Sequence, residues 1–189
     1  MSTPALKEWS AAVHALLDGR QTVLLRKGGI HEKRFAVCAS RFLLFPTVAH
    51  THARRVRSEH QDLLARSNVD STADDVLIRA AANVVAAVEV ARPDRIESLE
   101  PFHIWTADSV RADRLDFRPR HRLTVLVVQA CPLRAPVRLP RTPGYGGCVS
   151  WVDLPLTPQW GRPVHDDETL AQIAAQVRDT VGDIRDDER

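Results

Sequence analysis

The sequence predicts a single α+β domain, a mixed and largely antiparallel sheet of about five strands flanked by N- and C-terminal helices. Apolar residues alternate strictly from Val76 to Val90, which indicates a long half-buried strand. The apolar run from Arg122 to Ala130 indicates a buried central strand. Apolar residues at helical spacing from Asp167 to Val181 indicate an amphipathic helix that Gly182 ends. Residues 1–189 show no repeat or linker, so we expect one domain.

The N-terminal third contains signals for both helix and strand. Thr3-Pro4 suits the first positions of a helix, and Gly19 is placed to end it. The helix face would carry Leu6, Trp9, Val13, Leu16 and Leu17. A short strand is predicted next, with a hairpin partner, a further apolar segment and a polar helix after it: 21–26, 35–38, 41–45 and about 51–66.

Capping and turn residues divide the second half of the chain. Thr106 is placed to cap a short helix over 107–115. After the strand that ends at Ala130, a segment rich in proline and arginine predicts a loop over 131–146. A last strand is expected at about Cys148–Asp153, before the C-terminal helix.

Composition indicates a cytoplasmic protein without a membrane partner. Hydrophobic residues make up 44% of the chain and charged residues 26%, as in ordinary globular proteins. We expect no signal peptide and no membrane span, because no basic stretch precedes an apolar run and the apolar runs are short. Three cysteines without a CxxC pair argue against a zinc ribbon or a disulfide framework and favour a reducing compartment. With no P-loop and no GxGxxG, we expect no cofactor.

Charge is distributed unevenly although the formal net charge is only +2. Residues 111–141 contain eight arginines and two aspartates, a local charge of +6, whereas residues 165–189 contain eight acids and three arginines, a local charge of −5. A basic segment of this kind attracts polyanions. The alternative is a solvated surface produced by compositional bias, since the chain has three lysines against 23 arginines.

The turn Lys27-Gly28-Gly29 is a candidate anion site. Glycines let backbone N–H groups approach a phosphate, and the lysine supplies a counter-charge. The alternative is a plain turn that ends a strand.

His50 is a candidate general acid or base, because imidazole titrates near neutral pH. His50 and His52 form an HxH pair, but no third ligand lies at a telling spacing, and no metal site is predicted. The sequence contains no cluster of carboxylates of the kind that holds magnesium in a metal-dependent nuclease. The alternative for His50 is a solvent-exposed residue at a helix start.

The segment from Tyr145 to Trp151 contains a candidate nucleophile, Cys148, which follows two glycines. The alternative is a buried cysteine that acts as a small hydrophobic residue. Trp105, Tyr145 and Trp151 are candidates for stacking on nucleic-acid bases beside the arginines. Their alternative role is core packing.

Several motifs in one order resemble a known bacterial family: 6–9 (LKEW), 24–30 (LLRKGGI) with Glu32, 42–47 (FLLFPT) with His50, 102–106 (FHIWT) with Arg114, and 145–151 (YGGCVSW). Together they resemble the domain-of-unknown-function family 1802, over nearly the whole chain. The family has no established activity. Some members occur beside a restriction-endonuclease-like domain, so the resemblance implies a link with DNA restriction or defence.

Three functions therefore remain open. The first is a nucleic-acid-associated module that binds through the arginine-rich segment, with Arg118, Arg120 and Arg122 among its contacts. The second is an enzyme acting on a phosphorylated or nucleotide-like substrate. In it Lys27 and Arg114 would hold the anion, His50 would act as acid or base, and Glu32 would orient it, with Cys148 as the less favoured nucleophile. The third is a protein-interaction domain that uses the acidic last helix. The sequence predicts no oligomeric state.

Overall fold

Six strands form one mixed, mostly antiparallel sheet in this computed structural model, which describes residues 2–28, 35–48 and 52–183. The strands are β1 (Thr3–Trp9), β2 (Val23–Lys27), β3 (Arg41–Thr47), β4 (Asp75–Glu89), β5 (Leu123–Pro140) and β6 (Trp151–Leu154). Their order in the sheet is β2-β5-β4-β3-β1-β6, and β1 and β3 are the parallel pair. The α+β prediction is confirmed, with six strands in place of about five.

The longest strands, β4 and β5, pair from Asp75 opposite Pro140 to Glu89 opposite Thr124. This confirms the strand predicted from alternation. The prediction of a loop over 131–146 is wrong, because β5 continues to Pro140. Pro132 lies beside a register shift of the ladder and Pro140 ends the strand, and at such places a missing N–H is tolerated.

The N-terminal helix begins later than predicted. Residues Thr3–Trp9 form β1, and helix α1 spans Ser10–Leu17. The helical spacing therefore predicted the wrong structure. β1 lies between β3 and β6 in the sheet, and its residues Ala5 and Leu6 are completely buried. Tertiary pairing has overridden the local capping signal.

Two other strand predictions are also corrected. Residues 35–38 form no strand. β2 pairs with β5 instead, along its whole length from Val23 to Lys27. β6 starts at Trp151 and not at Cys148, so Cys148 precedes the strand.

The α-helices among the described residues are α1, α2 (Asp62–Ser67), α3 (Ala107–Val110) and α4 (Asp167–Val181). The polar helix expected over 51–66 is instead two short 3-10 turns and α2. Thr106 caps α3 as predicted, its Oγ1 accepting from the Ser109 N–H at 3.2 Å. α3 is followed by a π-helical turn, Arg111–Asp116.

The C-terminal helix α4 is confirmed with its predicted bounds. Asp166 caps it, with Oδ1 accepting from the Thr169 N–H at 2.8 Å. Leu170, Ala174 and Val177 are buried in the main core, so the apolar face of α4 packs inward and is not a free docking surface.

The sheet curls so that one face encloses a core of its own. Alternate residues of five strands pack together there, among them Leu6, Leu24, Phe42, Ala82 and Leu126. Val13 and Leu16 of α1 also belong to this core, whereas Ala11, Ala12 and Ala15 of the same helix belong to the main core. The main core also contains residues of α4 and of the 3-10 segment Pro93–Phe102. Among the described residues, no helix has the length and apolar character needed to cross a bilayer.

Candidate functional site

Four cationic side chains from three parts of the chain gather near the C-terminal end of β1. Arg26 and Lys27 end β2, Arg55 follows the 3-10 turn His52–Arg54, and Arg114 belongs to the π-helical turn. Contacts and electrostatic interactions link them to two carboxylates and one indole. We call this group the arginine–tryptophan cluster; it comprises Glu8, Trp9, Arg26, Lys27, Arg55, Asp113 and Arg114.

Glu8 is the buried carboxylate of the cluster, with only 4% of the residue exposed. Its Oε2 lies 3.2 Å from Arg26 Nη1, and its Oε1 accepts from the Trp9 N–H at 2.8 Å. Strand alternation places Glu8 on the side of β1 that carries Leu6, and Arg26 on the side of β2 that carries Leu24. A carboxylate at the end of an apolar interior needs a cation, and Arg26 supplies it.

Arg55 is held in place by its side chain and by its backbone. Its guanidinium binds Asp113 through two contacts, Nε to Oδ2 at 2.9 Å and Nη2 to Oδ1 at 3.2 Å. Its carbonyl accepts from the Thr106 N–H at 2.9 Å and from Ser109 Oγ at 3.2 Å. The guanidinium carbon lies 5.1 Å from the centroid of the Trp9 ring, within cation–π distance.

Arg114 also approaches Trp9, with its guanidinium carbon 5.9 Å from the ring centroid. Trp105 meets Trp9 edge to face at 4.8 Å between ring centroids. Within the described part of the chain Arg114 forms no ion pair; its guanidinium makes only a 3.5 Å contact to the Asp113 carbonyl. Burial is the main cause that lowers the pKa of Arg114, with nearby Glu8 acting in the opposite direction.

Lys27 connects β2 to the π-helical turn. Its ammonium donates to the Leu115 carbonyl at 3.1 Å and to the Phe117 carbonyl. Burial, followed by the neighbouring Arg114 charge, lowers the pKa of Lys27, while Asp116 acts to raise it. The predicted anion-binding residues Lys27 and Arg114 therefore lie close together.

Phe117 and Arg118 follow the turn that Lys27 holds. The Phe117 residue is 55% exposed, and the Arg118 guanidinium lies 4.9 Å from its ring centroid. Arg118 has a φ of 52°, which is uncommon for a residue other than glycine. Sequence reasoning passed over Phe117, although an aromatic residue in a polar, arginine-rich segment was the available signal.

Three predicted site residues, Gly29, Glu32 and His50, lie outside the described residues, and their roles stay predictions. Gly28 is buried after Lys27. In the part of the chain that the structure describes, no three His, Cys, Asp or Glu side chains are grouped as metal ligands.

The remaining predicted arginines differ in their surroundings. Arg120 is exposed, and Arg122 forms an ion pair with Glu89. Other basic residues of 111–141 also meet partners outside that segment: Arg111 Nη2 lies 2.5 Å from Glu97 Oε1, and Arg138 Nη1 2.5 Å from Asp75 Oδ1. Much of the local excess of +6 is thus balanced at the surface.

Cys148 is exposed in the loop before β6. Lys7 anchors this loop, with Nζ donating to the carbonyls of Gly146 at 3.1 Å and Gly147 at 3.2 Å. Since Lys7 and Glu8 alternate along β1, the loop lies on the other side of the strand from Glu8. The nucleophilic role of Cys148 stays a prediction.

The three aromatic residues proposed for base stacking all have packing contacts. Trp105 is buried beneath Trp9. Tyr145 meets Phe45 at 5.4 Å, and Trp151 meets Phe42 at 5.1 Å between ring centroids. These contacts agree with the alternative role, packing.

The sequence profile of a domain of unknown function, DUF1802, matches residues 5–176. The chain belongs to this family. No curated protein matches it. No comparison bears on the expected link of this DUF1802 protein with restriction or defence, which stays a prediction.

Three solved structures of ASCH from Zymomonas mobilis show a weak similarity to this chain. The ASCH structure has a TM-score of 0.42 and 13% identity, and the match covers 92% of this chain and 94% of that one. A serine-to-alanine mutant has a TM-score of 0.44, 12% identity and coverage of 92% and 94%. A tyrosine-to-phenylalanine mutant has a TM-score of 0.44, 14% identity and coverage of 92% and 96%.

Proposed function

We propose that this protein binds nucleic acid and that the arginine–tryptophan cluster holds the phosphates. The observation that carries the proposal is the position of Arg114, beside Lys27 and Trp9 and without an ion pair among the described residues. Arg55, paired with Asp113, adds a second guanidinium over the same indole. The phosphate groups would bind to the free N–H groups of Arg114 and to the outer edge of Arg55.

The chemistry of these groups suits phosphate diesters. A guanidinium presents planar N–H donors that match phosphate oxygens, and its charge shortens and strengthens each hydrogen bond. Contact with an indole face fixes a guanidinium, so that less side-chain entropy is lost on binding. When Arg118 and Asp116 are included, the cluster contains five cations and three carboxylates, so its net charge is +2.

The small size of the adjoining recess favours binding at the surface. A cavity of about 10 Å³ is lined by Trp9, Trp105, Ser109, Val110, Asp113 and Arg114. This volume accepts about one water molecule. An anion must therefore lie over the rim, where the Arg55 side chain is 31% exposed. A polymer that lies across a rim and meets several cations gains affinity from each contact.

The test compares two arginines of the same turn. Arg114→Gln removes the unpaired charge, whereas the control Arg111→Gln removes an exposed charge that is paired with Glu97. We expect Arg114→Gln to weaken binding of a labelled oligonucleotide by about tenfold and Arg111→Gln by less than about twofold. Fluorescence anisotropy measures both, and circular dichroism checks folding. Equal effects of the two changes on folded protein would contradict the proposal.

A second candidate is an enzyme acting on a phosphorylated or nucleotide-like substrate. The approach of Lys27 to Arg114 favours it, because both candidate anion-binding groups are within one cluster and both pKa values are lowered by burial. Incubating the protein with labelled oligonucleotides and with nucleotides, with and without Mg²⁺, tests it. A product that is formed by the parent and lost in His50→Gln would support it, whereas intact substrates throughout would exclude it.

A further inference from the structure

Phe117 is one of few large apolar side chains that the described surface exposes, and it lies directly after the arginine–tryptophan cluster. Its ring is covered on one side by the Arg118 guanidinium at 4.9 Å. A buried role in the core is therefore excluded for this side chain. The cations Arg118 and Lys27 contact Phe117, and both are groups that can bind anions.

The turn that carries Phe117 is fixed from several directions. Its N–H donates to the Ala112 carbonyl at 3.1 Å, and its carbonyl accepts from Lys27 Nζ. The carbonyl of the next residue, Arg118, accepts from the His121 N–H at 2.9 Å, and Arg118 has a positive φ of 52°. A non-glycine residue in this conformation is strained, and such strain is concentrated at functional sites. The ring is thus presented by an ordered backbone.

We propose that Phe117 and Arg118 form a base-stacking platform, and that the ligand of the protein is single-stranded nucleic acid. This inference rests on the proposed function and specifies its ligand. Every base has a π-face, so an exposed ring binds bases with little regard to sequence. In a duplex these faces are already stacked, and only a single strand can offer them without unpairing.

Lys27 links the two halves of this site. The ammonium that lies beside Arg114 also donates to the carbonyls of Leu115 and Phe117. Arg114, the phosphate contact, and Phe117, the base contact, are therefore three positions apart on a turn that Lys27 holds. A strand bound in this way would contact the cluster with its backbone and the platform with a base.

The test uses Phe117→Ala with a control, Val149→Ala, because Val149 is an exposed apolar residue (53%) in the loop before β6, on the other side of β1 from Glu8. Anisotropy is measured with a labelled single strand and with its duplex. We expect Phe117→Ala to lower single-strand affinity by about tenfold and to leave duplex affinity unchanged. Phe117→Trp should retain single-strand affinity, and Val149→Ala should change neither.

The outcomes separate the inference from the function on which it rests. If Phe117→Ala binds the single strand like the parent while Arg114→Gln still weakens binding, the platform is overturned and the proposed function stands. Stronger binding of the duplex than of the single strand also overturns the platform. If the parent binds neither form at low salt, both proposals fall. Because Phe117 is exposed, the variant is expected to fold, and circular dichroism verifies this.

Discussion

Arg26 and Glu8 meet across a curled sheet, with Arg26 Nη1 3.2 Å from Glu8 Oε2 although β5, β4 and β3 separate their strands in the sheet order. In a flat sheet these strands would lie roughly 19 Å apart, at about 4.8 Å per strand. The curvature that encloses the inner core therefore also brings the cations of β2 to the end of β1. The Arg26–Glu8 ion pair therefore belongs both to the curled sheet and to the candidate site.

Glu8→Gln should have opposite effects on stability and on ligand binding. Removing the carboxylate leaves Arg26 without its buried partner, so the free energy of unfolding should fall by about 2 kcal/mol. The cluster gains one positive charge, so oligonucleotide affinity should rise severalfold. Urea denaturation and anisotropy measure these effects. Glu97→Gln, which breaks an exposed pair, should change both only slightly. A loss of affinity in folded Glu8→Gln would contradict the assignment of Glu8 as a counter-charge.

Asp70 is a fully buried carboxylate that joins α1 to β4. Its Oδ2 lies 2.6 Å from His14 Nε2 and accepts from Ser10 Oγ at 2.9 Å, and its Oδ1 accepts from Arg79 Nε at 2.9 Å. Asp70→Asn should lower the free energy of unfolding by about 3 kcal/mol, because Arg79 loses its buried partner. The exposed Asp62→Asn should cost less than about 1 kcal/mol in the same denaturation experiment. Similar losses in the two variants would refute the role of Asp70.

His103 should make the protein less stable in mild acid. Burial, followed by the Arg57 charge, lowers its pKa from 6.5 to about 4. Since the unfolded chain takes up the proton first, stability is full above about pH 6.5 and falls as pH decreases towards 4, by roughly 3 kcal/mol for this group. His60 contributes in the same direction, because burial lowers its pKa too.

A variant isolates the His103 contribution. His103 Nδ1 accepts from the Trp105 N–H at 3.2 Å, and an asparagine oxygen can take its place. His103→Asn should therefore flatten the dependence of stability on pH between 7 and 4, as measured by urea denaturation at each pH. An unchanged slope in this variant would show that other groups cause the acid sensitivity.

Gly182 ends α4 at a place where a side chain has no room. A Cβ there would lie 2.6 Å from the Arg178 carbonyl oxygen and 3.3 Å from Val88 Cγ1. Gly182→Ala should lower the free energy of unfolding by about 1–3 kcal/mol, as overpacking does. Gly144→Ala is the control, because its Cβ would meet only Thr142 Oγ1, at 3.7 Å. A stable Gly182→Ala protein would show that the end of α4 can shift.

Elements defined by long local patterns were predictable from the sequence. The alternation from Val76 and the caps of α4 at Asp166 and Gly182 specify those elements locally. β1 was predicted as helix because Leu6 and Trp9 have the spacing of one helix face. In the structure they lie on opposite faces of a strand, which the pairing with β3 and β6 determines. The local sequence does not predict that pairing.

The candidate site was predictable only in part. Lys27 and Arg114 were recognised as anion-binding candidates, and the structure brings them together. Arg26, Arg55 and Glu8 were missed because they join the cluster through sheet curvature and through contacts 18 and 58 residues apart in sequence. The exposure of Phe117 depends on the π-helical turn and on Lys27, which no periodicity reveals.

Salt dependence of oligonucleotide binding tests the central claim most directly. If Lys27, Arg55 and Arg114 neutralise about three phosphates of a single strand, log affinity should fall linearly with log salt, with a slope of about −2. Arg114→Gln should make that slope shallower by about 0.7, and Arg111→Gln should leave it unchanged. Absence of binding at low salt, or a slope that Arg114→Gln does not alter, would contradict nucleic-acid binding at this cluster.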